Sequence, residues 1–295
     1  MANSSFYCIA GFYIKIDFKH SALEQFQVPR QYAPFQIAKE ECGPILFSLV
    51  VDNEFTFKEK GKIIGHFRSG ENHHDVYLLP ENGYQIEVFD SREDSIACLL
   101  QTNSDFTNLV IDLKGDLAQH LLGFNHAMMI GFAFASAPHR CLLIHASVIT
   151  YQQKGYLFLG KSGTGKSTHS SLWIKNFEGA ELLNDDNPAL RIVNDCAFVY
   201  GTPWSGKTPC YKNQHVPIGA IVMLSQKPYN KISHRRVIDN FSYLISSCSS
   251  IIWDHRIQDV ICDNLTHILP IVSIYFLECL PNDEAAQICK ETIVK

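Results

Sequence analysis

The sequence predicts two domains: a mainly β N-terminal domain over 1–125 and an α/β domain over 126–295 built round a phosphate-binding loop. Three observations predict this. Apolar residues alternate with period two near the N-terminus, strand-like and helix-like segments begin to alternate after Asp116, and Gly160–Ser167 matches G-x-x-x-x-G-K-[ST]. The change of texture sets the boundary between 115 and 140.

Phe6, Cys8, Ala10, Phe12, Ile14, Ile16 and Phe18 make every even position apolar, which predicts one strand with one buried face. Ile45–Val51, Asp75–Leu79, Tyr84–Phe89 and Leu109–Leu113 follow as strands, separated by turn-forming segments such as 52–53 and 80–83. His73 and His74 are neighbours in extended chain and point to opposite faces, so they are expected to be a solvated pair and not joint metal ligands. Leu117–Ala137 predicts a long helix. Its apolar run, Ala127–Ala137, is shorter than the ~20 residues that cross a bilayer, so it is expected to be buried.

Leu142–Tyr151 and Gly155–Leu159 predict strands, and Lys166–Phe177 a helix. Leu182–Leu183, Ala189–Val193 and Ala197–Tyr200 are short strands, the last two joined by the Asn194-Asp195 turn. Ile218–Leu224 is a buried strand. Helices near Ile238–Ser247 and Gln258–Leu269, a strand at Ile271–Leu277 and a helix from Asp283 complete the chain.

Composition narrows the partners. With 46% hydrophobic and 19% charged residues the chain can bury a core. A net charge of -5 offers no basic excess, so neither a nucleic acid nor a membrane surface is expected. The 10 cysteines are scattered with no C-x-x-C pair, which argues for reduced, buried thiols and not a zinc or disulfide framework. With no basic-then-apolar start, a cytoplasmic protein is expected.

The phosphate loop is the most specific signal. A chance match arises on the order of once in a hundred chains of this length. Here a strand precedes the motif and a helix follows it, as the chemistry requires. Gly160, Gly163 and Gly165 let the backbone curl so that amides converge on phosphate oxygens, and the helix adds its positive end. Lys161, Ser162, Thr164 and Thr168 complete the cradle. Lys166 reaches the β- and γ-phosphates, and Ser167 offers a hydroxyl to Mg²⁺. The plain alternative is a glycine-rich turn beside a surface lysine.

Two further elements lie near. Asp185 and Asp186, in Leu182-Leu-Asn-Asp-Asp-Asn187, suit two jobs: holding Mg²⁺ and taking a proton from an attacking hydroxyl. An Asx-rich turn is the alternative. His145, inside an apolar strand next to the one entering the loop, is by itself more often a core histidine than a functional one.

In this order the strand with His145, the loop at 160–167 and the Asp185–Asp186 pair resemble the catalytic domain of HPr kinase/phosphorylase, and more distantly ATP-dependent phosphoenolpyruvate carboxykinase. The stretch 271–286 is similar to a subgroup associated with modification of ribosomally made peptides. The likeness covers roughly residues 140–295. It implies an HPr kinase/phosphoenolpyruvate carboxykinase-like P-loop fold using ATP and Mg²⁺, with a homo-oligomer as the family's habit. It implies acid–base roles for His145 and Asp185, phosphoryl stabilisation by Lys166, and metal binding by Ser167 and Asp186. Arg235 and Arg236 stand where a later functional arginine of the family falls, with surface arginines as the alternative.

The family's metal-binding glutamate after the aspartate pair has no counterpart, because 196–206 holds no acidic residue. The HPr substrate and the reverse phosphorolysis are therefore not carried over. Thr202–Lys207 is a candidate substrate-side loop, with Trp204 as a packing anchor the plainer reading. The expected activity is transfer of the ATP γ-phosphoryl group to a hydroxyl, of serine in a peptide or protein, or of free serine or another small alcohol. A nucleotide-responsive binding module is the alternative from another class. A carboxykinase ranks last because no lysine and arginine set for a dicarboxylate is found.

Overall fold

The computed structural model describes residues 3–19, 26–69, 72–206, 208–251 and 253–294. The chain divides between Ser136 and Ala137 into two compact units. That division falls at the end of a helix, Leu117–Ser136, inside which the expected boundary at 125 would have fallen.

The first unit holds β1 (Asn3–Ile9), β2 (Phe12–Phe18), β3 (Gln36–Ile37), β4 (Ile45–Val51), β5 (Ile63–Ser69), β6 (Asn72–Leu78), β7 (Tyr84–Asp90), β8 (Ser95–Thr102), β9 (Asn108–Leu113) and α1 (Leu117–Ser136). Among the described residues these strands form one sheet in the order β3-β1-β2-β4-β9-β8-β7-β6-β5. The pairs β2–β4 and β4–β9 are parallel, and β1–β2 and β5 through β9 run antiparallel.

The expected single strand from Phe6 to Phe18 is a hairpin. Ala10 and Gly11 turn the chain with φ of 49° and 76°, the positive pair that matches strand twist. Because this two-residue turn sets Ile9 opposite Phe12, the buried face changes parity: Phe12, Ile14 and Ile16 in β2, but Tyr7 and Ile9 in β1.

Helix α1 packs on β4, β7, β8 and β9. By length and composition it could cross a membrane, with mean hydropathy 1.2 in its best window. Yet 67% of that window is buried, as befits the central helix of a sheet-backed core. His74 departs from expectation. It lies inside β6, fully enclosed, stacked on Phe67 and hydrogen-bonded through Nε2 to His126 Nδ1 at 2.9 Å. His73, with its own ring against Phe89, does not share that environment. Burial occurs because β6 is an interior strand and α1 supplies His126 against it.

The second unit holds β10 (Cys141–Leu143), β11 (Ala146–Tyr151), β12 (Lys154–Leu159), α2 (Lys166–Asn176), β13 (Glu181–Asp186), β14 (Ala189–Val193), β15 (Cys196–Tyr200), β16 (His215–Gln226), β17 (Lys231–Ser233), α3 (Val237–Ser247), α4 (His255–Ile268), β18 (Ile274–Cys279) and α5 (Asp283–Ile293). The sheet runs β10-β14-β15-β16-β12-β11-β13, with β18 on β16 and β17 on β18. Strands β12, β16 and β18 are parallel. Their Tyr156, Phe158, Val222, Leu224, Tyr275 and Leu277 join Trp173 of α2 and Cys289 and Ile293 of α5 in one core. A mixed α/β unit results.

The expected strand 142–151 is interrupted. Ile144 bridges to Cys248, the His145 N–H donates to Ser247 O at 2.7 Å, and β10 pairs with β14 while β11 pairs with β12 and β13. The break frees His145 from the ladder.

Candidate functional site

The register of three strands assembles the site. In β11, Ala146 lies opposite Leu159 of β12 on one side and Asp186 of β13 on the other. His145, Gly160 and the carboxylates therefore meet at one end of the sheet. Strand β13 reaches Asp186, so both aspartates are strand residues and not part of a turn beyond it.

Gly163 and Gly165 take φ of 79° and 103°, with open space where a side chain would begin. Glycine is required there by conformation and not by crowding. Gly165 is the N-cap of α2 and leaves the helix start without a side-chain cap. The loop is braced by Thr164, whose N–H and hydroxyl both donate to Lys161 O, and by Gln226 Nε2, which donates to Gly163 O at 3.1 Å. Lys161, Ser162 and Thr168 are exposed at the rim.

Lys166 Nζ donates to Gly160 O and to His145 Nε2, each at 2.9 Å. His145 Nδ1 lies 2.9 Å from Asp186 Oδ1. With an ammonium donor at Nε2, the ring proton belongs on Nδ1, facing the carboxylate. The side chains of His145 and Asp186 are 42% and 33% exposed, so this chain opens to solvent. Ser167 Oγ donates to Asp185 Oδ1 at 2.9 Å, and Asp185 is buried. Neighbouring residues of β13 face opposite ways, which is why each aspartate has a different partner. Burial holds the Lys166 ammonium below the usual lysine range, while the Asp186 and Asp185 carboxylates pull it back up.

The residues fit a magnesium nucleotide. An uncapped helix start with two left-handed glycines presents backbone amides that suit a phosphate group. Among the described residues no group of three or more His, Cys, Asp or Glu side chains could hold a metal. Ser167 and Asp185 offer two hard oxygens, and Mg²⁺ ordinarily draws its remaining ligands from phosphate and water.

Of the expected residues, the structure brings together the loop, His145, Asp185 and Asp186. Arg235 and Arg236 have partners of their own. Arg236 forks onto Asp239 through Nε and Nη2, and Arg235 lies 4.0 Å over the Phe276 ring. They precede α3, whose other end meets His145 through the Ser247 carbonyl. Trp204 is buried, and Lys207 lies outside the described residues. The loop 202–206 meets the site through its backbone: Gly206 N–H donates to Asp185 O, and Ser205 bridges to Asp186. A Cβ on Gly206 would fall 2.7 Å from Asp185 O, so the approach demands glycine.

Three contributors, one of them a pair of serines, lack a sequence signal strong enough to single them out. Gln226 braces the loop, and Ser147 and Ser170 join β11 to α2 by a buried hydroxyl pair at 2.7 Å. Asn184, fully buried beside the aspartates, is the third, and a polar residue inside an apolar strand is its only trace in the sequence. No protein-family model and no curated protein matches the chain.

Proposed function

We propose that the chain is a Mg-ATP-dependent kinase of HPr kinase-like type that phosphorylates a hydroxyl, that of serine in a peptide or protein. The observation that carries the reading is the hydrogen-bonded series Lys166–His145–Asp186 at the mouth of a phosphate loop, next to the Ser167–Asp185 pair. Bound Mg-ATP would supply the phosphoryl group and the cation that offsets its charge.

The chain's own residues do the rest. Amides at the start of α2 receive phosphate oxygens, and Lys166 turns its ammonium from Gly160 O toward them. Ser167 and Asp185 hold the cation side. Asp186 with His145 takes the proton from the acceptor hydroxyl, since this carboxylate is the more open of the two. That assignment exchanges the duties implied by the family likeness, in which Asp185 served acid–base chemistry and Asp186 the metal. The HPr-kinase-like fold, the homo-oligomer and a cytoplasmic setting stand as part of the same proposal.

Transfer of γ-labelled phosphate from Mg-ATP into a lysate of the source cell tests it, with wild type against Asp186→Asn. Label entering a peptide, a protein or free serine with wild type alone supports the kinase and identifies its acceptor class. If both proteins bind ATP and neither labels anything, the reading falls to a nucleotide-responsive binding module. The absence of any acidic residue in 196–206 is the feature that favours that alternative.

A further inference from the structure

Asn184 is completely buried in β13, yet its carboxamide is fully engaged. Its Oδ1 accepts the Asp186 N–H at 3.0 Å. Its Nδ2 donates to Thr202 Oγ1 and Trp204 O, each at 3.1 Å, and lies 3.4 Å from Thr202 O. The Thr202 hydroxyl, itself buried, donates to Asn187 O at 2.7 Å, and Asn187 Nδ2 returns to Asp186 Oδ2 at 2.8 Å. A network closes on Asp186 from behind and from the side, leaving its Oδ1 for His145.

We propose that Asn184 is a positioning residue: it turns Asp186 toward His145 and ties the 202–206 loop against β13 as the fixed wall beside the two carboxylates. Only a carboxamide does both jobs. The Oδ1 bond to the amide two residues on has Asx-turn geometry at the last residues of β13 and sets the direction of Asp186. The Nδ2 donors serve a loop whose contribution to the site is otherwise backbone, so its place depends on such bonds. In a buried setting each lost partner leaves a polar group without water, which makes the arrangement sharply defined. The catalytic significance rests on the kinase reading above; the structural claim does not.

Two variants separate the halves. Asn184→Ala removes both, whereas the near-isosteric Asn184→Asp keeps the acceptor for Asp186 N–H and loses the donors to Thr202 and Trp204. Hydrogen exchange of the Asp186 amide is expected to speed up at least about tenfold in Asn184→Ala and to stay within about twofold in Asn184→Asp. The Gly206 amide, on the tethered loop, should speed up in both. Unchanged exchange at Asp186 and Gly206 in both variants overturns the inference, whether or not any activity is found. Should Asn184→Ala not fold, Asn184→Asp decides alone through the Gly206 amide.

In the kinase assay, Asn184→Ala is expected to lower kcat by about tenfold or more while Mg-ATP affinity stays within about twofold. A purely structural residue would lower both together. A wild-type chain that transfers no phosphate removes the kinase reading, and the exchange measurements still decide whether Asn184 positions Asp186. An active wild type matched within twofold in kcat by Asn184→Ala removes the positioning role instead.

Discussion

Both units of the molecule bring histidine nitrogens into close contact with another ionisable group, and they do so in opposite ways. In the first unit His74 and His126 face one another at 2.9 Å. Burial and mutual repulsion push His74 down to about 3, and burial pushes His126 down to about 4. In the second unit His145 sits between an ammonium and a carboxylate at the half-open end of a sheet. The first arrangement excludes charge and serves packing. The second lines up an ammonium, an imidazole and a carboxylate beside the loop at 160–167, the arrangement on which the kinase proposal rests. A close histidine contact therefore carries no functional meaning until the sign of its neighbours is known.

The largest effect expected from this comparison comes from removing the ammonium. Lys166→Ala should lower phosphoryl transfer by roughly 10²–10³-fold, the usual cost of one preorganised donor to a charged transition state. Mg-ATP affinity should fall as well. Thermal stability should barely change, because Lys166 is only half-buried and its two partners, Gly160 O and His145, keep access to water. Calorimetry and steady-state kinetics on the same preparation check this. Unaltered transfer would show that the series at the loop is as inert as the pair in the first unit.

How much of this was legible in the sequence follows from which constraints are local. The phosphate loop was, because its glycines answer a backbone conformation, and φ of 79° at Gly163 or 103° at Gly165 is a demand that one residue type meets. The strand into the loop and the helix after it were legible for the same reason. The parity of β1 was not, since Ala10-Gly11 lacks the Asn-Gly or Asp-Gly pair that announces a hairpin, and the apolar alternation runs straight through it. Strands β5 and β8 escaped because neither Ile-Ile-Gly-His-Phe-Arg-Ser nor Ser-Ile-Ala-Cys-Leu-Leu-Gln-Thr alternates cleanly.

At the site, adjacency named Asp185 and Asp186 but could not say which faces Ser167. That depends on the pleat of β13 against β11, a pairing set by residues far apart in the chain. Asn184 was hidden for a related reason. Its partners, Thr202 and Trp204, come from a loop two strands later.

Acid sharpens the comparison from the other side. His74 and His126 bind protons more weakly in the folded chain than at the ordinary histidine value near 6.5. The unfolded chain therefore gains protons first as pH falls, and the stability they contribute is complete above about 6.5 and lost on descending through about 4 and then about 3. Each histidine can cost the fold at most about 1.4 kcal/mol per pH unit within that window. His169, pushed down to about 4 by burial in the second unit, adds one such group there against two in the first. Hydrogen exchange followed unit by unit between pH 7 and 4 should show the steeper loss in the first. His126→Asn, which keeps a hydrogen-bonding group toward His74, should make that loss shallower by about one proton. Equal slopes in both units would mean that the pair takes up protons without opening.

The smallest effect is expected at Arg235 and Arg236. Each already has a partner within its own neighbourhood, the Phe276 ring and the Asp239 carboxylate, and both are exposed. An exposed ion pair three residues apart is screened by solvent and adds little. Replacing both arginines by alanine should leave kcat and the KM for Mg-ATP within about twofold of wild type. What reaches His145 directly is the far end of α3, through the Ser247 carbonyl. A fall in kcat of tenfold or more would mean that the start of α3 moves onto the phosphate loop when substrate binds. The charged series would then extend to a cation that the resting arrangement holds aside, and the contrast with the enclosed histidine pair would become one between a fixed contact and a mobile one.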